Sequence, residues 1–213
     1  MQSKKKDQNG FTILEMMIAT GVFSVVLLLC ATAIVQVGRL FYKGVIIDRT
    51  QLAARTAIDD VSGSIQFGAE SLNFFRSGSQ TFSGVTVRSY CLGQVRYSYA
   101  PGDYARGATA SGRIPHILWK DKYTLSGCPP VDLTSSSISG GQELAGDAMR
   151  LSRFVVTAPP LATGVYAIEL TMSYGATTDL YVAASGYTQC IGDRIGGQFC
   201  AVSSITTNAV KRL

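Results

Sequence analysis

Histidine is almost missing from this chain: His116 is the only one in 213 residues. Any Ser-His-Asp or Cys-His centre would have to use it. It lies in Ile114-Pro115-His116-Ile117-Leu118-Trp119, an apolar strand-like setting that reads as a structural position. The chain also has no G-x4-G-K-[ST], H-E-x-x-H or G-x-S-x-G motif, which removes the common nucleotide, zinc-protease and hydrolase signatures. No C-x2-C pair accompanies the single histidine, so a zinc site lacks its usual ligands. Asp103, Asp121, Asp179 and Asp193 are too dispersed for a calcium loop. We therefore expect no enzyme, no catalytic residue, no cofactor and no metal. The net charge of +5 comes from scattered residues, not from a dense Lys/Arg stripe of the nucleic-acid-binding kind.

Two further absences are local. Proline is missing from Phe11 to Gln66, so no ring interrupts a helix there. Charge is missing from the 28 residues Phe11 to Gly38, with Glu15 the one exception. As a helix this run would extend about 42 Å, beyond the roughly 30 Å hydrocarbon core of a bilayer. Lys4, Lys5 and Lys6 precede it and should stay cytoplasmic, which places the C-terminal bulk outside. No second transmembrane candidate follows. A carboxylate within such a segment is costly to keep and marks a function.

Residues 1–10 form a short basic leader. An ordinary secretory signal is cut after its apolar region. Here the plausible cut precedes it, between Gly10 and Phe11, so the apolar segment would remain in the mature protein. Removing the leader leaves 16 basic and 13 acidic residues, a net charge of +3. The alternative is an uncleaved signal anchor, which leaves Gly10, Phe11 and Glu15 without a linked explanation.

Beyond Gly38 the helical pattern continues. Leu40, Ile47, Ala54 and Val61 recur every seven residues, flanked by Ile58 and Ile65, with Asp48, Arg49, Arg55, Asp59 and Asp60 as polar positions. Ser62-Gly63-Ser64 weakens the pattern and Gly68 is the expected stop. The remainder reads as strands at 85–90, 94–99, 114–120, 151–157, 165–174 and 204–210, in an antiparallel meander. Cys91-Leu92-Gly93 is the expected turn of the first hairpin, and Pro159 to Gly164 joins two later strands. The Ser/Gly-rich stretch 126–146 is expected to be a surface loop. Tyr90, Tyr97, Tyr99, Tyr104 and Tyr123 fit an adhesive surface or sheet packing equally well.

Cys30 lies in the apolar run, whereas Cys91, Cys128, Cys190 and Cys200 lie in the exported part. Four exported cysteines favour two disulfides over a metal site. Three pairings are possible. Cys190–Cys200 with Cys91–Cys128 is preferred because the first closes a short Gly-containing loop. In the chain-entropy model the two bridges contribute roughly 3 and 4 kcal/mol.

The motif Gly10-Phe11-Thr12-Ile13-Leu14-Glu15, behind its basic leader, resembles the prepilin cleavage and methylation signal of type IV pilins, type II secretion pseudopilins and competence pseudopilins. Met149 to Val156 and Ser204 to Arg212 are similar to the larger minor pilins and J-type pseudopilins. The resemblance implies an α+β pilin fold, a long N-terminal helix, first transmembrane and then amphipathic, packed on an antiparallel β-sheet domain. The implied division is a cleaved leader at 1–10, a transmembrane helix half at 11–38, an amphipathic half at 39–68 and a disulfide-braced β-rich domain at 69–213. It implies that a membrane aspartyl peptidase cuts after Gly10 and methylates the amine of Phe11. Glu15 would then pair with the N-terminal amine of a neighbouring subunit and set the axial register; the alternative is that Glu15 snorkels to the nearby interface. Many major pilins carry a proline midway through this helix; here Thr32 stands near that place. The missing proline and the large sheet domain favour a minor pilin or pseudopilin. The presence of Glu15 argues against the tip-cap pseudopilin that lacks the carboxylate. Expected partners are other pilin subunits, the prepilin peptidase and the membrane, with DNA or a cell-surface ligand as candidates for an adhesin or DNA-uptake role. The expected location is the bacterial inner membrane as precursor, then a surface or periplasmic filament.

Overall fold

The computed structural model describes residues 11–68, 74–102, 104–107, 112–159, 164–182, 188–191 and 199–212. The leader with Gly10, residues 160–163 of the Pro159 connection, Asp103 and Asp193 lie outside the described residues. A single 55-residue helix, α1, spans Ile13–Phe67. With no proline available, neither Thr32 nor Ser62-Gly63-Ser64 interrupts it, and it ends immediately before Gly68. The chain divides into two compact units, Met1–Phe41 and Tyr42–Leu213.

In the first unit the large apolar side chains of α1 are exposed, among them Ile13, Leu14, Met16, Val22, Leu27, Leu29, Val35 and Leu40. The hydroxyls in this run bond back to their own helix: Thr20 donates to the carbonyls of Met16 and Met17, Ser24 to Thr20, and Thr32 to Leu29. Such back-bonding satisfies polar groups where no water is present.

In the second unit α1 has one buried face, made of Thr50, Ala54, Ala57, Ile58, Val61 and Ile65. The seam therefore starts at Thr50. Leu40, expected on the same stripe, is 69% exposed in the first unit, and Ile47 is half-buried.

Among the described residues twelve strands follow α1. The first sheet contains β1 (Phe75–Phe82), β2 (Val85–Leu92), β3 (Val95–Tyr99), β6 (Leu118–Lys122) and β7 (Gly141–Glu143), in that order and all antiparallel. The second contains β4 (Ala105–Arg106), β5 (Arg113–Ile114), β8 (Met149–Thr157), β9 (Val165–Tyr174) and β12 (Ala201–Val210), in the order β12-β9-β8-β4-β5. Among the described strands the short β4–β5 pair is parallel, and the isolated bridge Pro101↔Leu151 is parallel too. β10 (Leu180–Val182) and β11 (Thr188–Cys190) form a separate ribbon.

The longest ladders are β9 with β12, ten residues from Val165↔Val210 to Tyr174↔Ala201, and β9 with β8. One core joins the α1 face to Tyr97, Tyr99, Phe154, Ile168, Leu170 and Met172. Tyr90, Tyr99 and Phe154 pack mutually at 5.0 to 5.5 Å between ring centres. The buried tyrosines thus belong to sheet packing.

Three local departures from the sequence expectation have physical causes. β1 was not expected, because Arg76 to Thr81 is polar and carries Gly78; it forms because Ser83 and Gly84 take positive φ of 48° and 84° and close a two-residue hairpin. The β2–β3 turn is Gly93-Gln94, so Cys91 and Leu92 remain in the strand. Residues 126–146 are not merely a surface loop. Cys128, Leu133 and Ala145 are buried, and the segment lies across β1, β2 and β3. Ser89 Oγ donates to the Cys128 carbonyl, Val131 N–H to Ser98 Oγ at 3.0 Å, and Arg96 Nη1 to the Pro129 carbonyl at 2.8 Å. The segment passes so close to β1 that a Cβ on Gly78 would stand 2.0 Å from the Cys128 oxygen.

The C-terminal tail returns to the end of α1. Arg212 N–H donates to the Gln66 carbonyl at 3.3 Å and Lys211 N–H to Gly164 at 2.9 Å. Lys211 Nζ lies 4.4 Å from the Phe74 ring centre, and the Arg212 guanidinium 5.3 Å from that of Phe67. The last turn of α1 has no basic residue of its own. The tail supplies cations near its carbonyl end, where the helix dipole favours them.

Candidate functional site

The start of α1 is a reciprocal cap. Thr12 precedes the first helical residue, and Glu15 stands three positions on. The Thr12 N–H donates to Glu15 Oε2 at 2.9 Å, and the Thr12 hydroxyl donates to the same oxygen at 3.0 Å. The Glu15 N–H in turn donates to Thr12 Oγ1 at 3.2 Å. This is the T-x-x-E capping box, which satisfies two orphan donors of the first turn. Thr12 joins Phe11 and Glu15 as a residue of this site, and its sequence signal is the T-x-x-E spacing ahead of an apolar run. Phe11 is 83% exposed, and Glu15 is exposed as well.

Among the described residues this constellation brings together no set of catalytic side chains. It has one carboxylate, one hydroxyl and a wall of outward-facing hydrocarbon. What it can do is enter an apolar layer and offer a carboxylate oxygen to an external cation.

Residues 5–31 match the family model described as the prokaryotic N-terminal methylation motif. The chain is type IV pilin-like. No curated protein and no solved structure matches it. The match covers the leader from Lys5 onward, the Gly10–Phe11 junction and most of the apolar run. It supports processing by prepilin peptidase, and the apolar helix fits a membrane-anchored precursor. Pilin-type proteins are structural and not catalytic.

The second unit of this pilin-like chain carries two half-buried polar clusters. In one, Asp60 of α1 accepts from Tyr97 OH at 2.5 Å and from Lys120 Nζ at 2.7 Å, while Ser64 Oγ lies 2.7 Å from the same phenol. Burial, then the Asp60 carboxylate, raises the Tyr97 phenol above its ordinary value and keeps it a neutral donor. In the other, Glu143 Oε1 accepts from the backbone N–H of Leu118 and Ala145, each at 3.0 Å, and Oε2 from that of Ile117 at 3.3 Å. His116 Nδ1 lies 3.2 Å from Oε2, and its ring packs edge-on to Trp119. Burial raises the Glu143 carboxyl, and the backbone donors, Arg106 and His116 act against that rise. Both clusters tie elements together. His116 therefore serves as a structural residue.

Cys91 is bonded to Cys128 and Cys190 to Cys200, while Cys30 is free and exposed. Asp121 pairs with Arg96, whose guanidinium also lies over Tyr123. Among the described residues no three His, Cys, Asp or Glu side chains gather where a metal would bind.

Proposed function

We propose that the protein is a minor pilin or pseudopilin subunit. It is cut after Gly10, methylated on the amine of Phe11, and inserted through α1 into a type IV pilus or related filament. The observation that carries this reading is Glu15: a single carboxylate at the start of a helix, the one formal charge between Phe11 and Gly38, among exposed apolar side chains. Such a carboxylate gains most from a cationic partner in an apolar layer, and the new amine of a neighbouring subunit is one. The proline-free helix and the two-sheet exported unit support the minor over the major role. The filament lies at the cell surface or in the periplasm.

Replacing Glu15 with Ala should leave membrane insertion and cleavage intact and abolish recovery of the protein in sheared filaments. Normal incorporation of that variant would remove Glu15 from the assembly step. Mass spectrometry of the mature chain should find N-methylated Phe11 at the terminus.

A further inference from the structure

Glu15 spends one of its two carboxylate oxygens inside its own chain. Both donors of Thr12 converge on Oε2, and no hydrogen bond from a described residue reaches Oε1. An untethered glutamate would sample several rotamers and, in hydrocarbon, would leave both oxygens without donors. The capping box removes both problems at one oxygen and leaves the other with its acceptor capacity. We propose that Thr12 is the positioning residue of the assembly carboxylate: its hydroxyl locks Oε2 toward its own helix and presents Oε1 to the cationic amine of an incoming subunit. This rests on the reading that Glu15 carries assembly.

The chemistry selects the hydroxyl. Valine has the same shape and leaves only the backbone N–H on Oε2, whereas serine keeps both donors. Loss of a cap of this kind corresponds to a fold-change of roughly 5 to 30 in the ordered population. Full-length Thr12→Val should therefore insert and be cleaved like the wild type yet enter filaments roughly 5- to 30-fold less. Thr12→Ser should assemble normally.

Glu15→Ala, run alongside, separates the two claims. If Glu15→Ala assembles, the assembly reading itself falls. If Glu15→Ala is blocked while cleaved Thr12→Val assembles like the wild type, the positioning role falls and the assembly reading stands. A second measurement needs no processing. The chain has four glutamates, so in 13C-glutamate-labelled full-length precursor in detergent the Glu15 carboxyl resonance is assigned by its loss in Glu15→Gln. Thr12→Val should shift that resonance and its titration midpoint, and Thr12→Ser should not. An unmoved Glu15 signal in Thr12→Val overturns the proposal.

Discussion

Glu143 shows what one buried carboxylate does in the second unit. Three backbone N–H groups from the start of β6 and the end of β7 point at it, so it replaces ladder bonds where the two strands diverge. Glu143→Gln keeps the shape but turns an amide NH2 toward Ile117 N–H and leaves one donor unmet, a loss of about 1–3 kcal/mol. The pH dependence has a definite sign. Burial holds the folded carboxyl above its ordinary 4.5, so the folded state keeps this proton longer than the unfolded chain does. Its contribution is fully present below pH 4.5 and is lost as pH rises through the folded value. The wild type's lead over Glu143→Gln in thermal unfolding should be largest near pH 4 and narrow toward neutrality. A lead that widens with pH would contradict this account.

At the scale of elements, α1 was legible because its causes are local. An apolar run without proline dictates a helix, and the seven-residue spacing of Ala54 and Val61, with Ile58 and Ile65 beside them, marks the face that the sheets bury. The strands with alternating Val, Tyr and Ile were legible too; β9 spans the expected 165–174. What escaped depends on distant partners. Nothing local marks Arg76 to Thr81 as a strand, since β1 exists through its pairing with β2. Nothing local shows that Leu133, in a Ser-rich run, is a fully buried residue of the core. Asp60 read as one of several helix charges, and only Tyr97 and Lys120 on two strands make it a clasp. The two faces of α1 predict a contrast. Ile58→Ala should cost about 2–5 kcal/mol in detergent-solubilised subunit, as expected for a truncated core residue. Leu52→Ala, at 67% exposure, should stay within about 0.5 kcal/mol. Equal losses in a denaturant titration would mean that the assigned buried face is wrong.

For the whole molecule, the closing contacts come from the chain's end. Stopping the chain after Val210 removes the Arg212–Gln66 and Lys211–Gly164 backbone bonds and both cation–ring contacts. The expected loss is about 2 kcal/mol, read as a lower thermal midpoint of the full-length subunit without its last three residues. An unchanged midpoint would show the tail to be dispensable. The ten-residue β9–β12 ladder has a consequence in time. β12 follows β9 in the chain and completes the side of β9 opposite β8. During synthesis from the N-terminus β8 and β9 emerge first, so this edge of β9 stays open until residues 201–210 have emerged. Over that interval its unpaired backbone groups form a template for pairing with another chain.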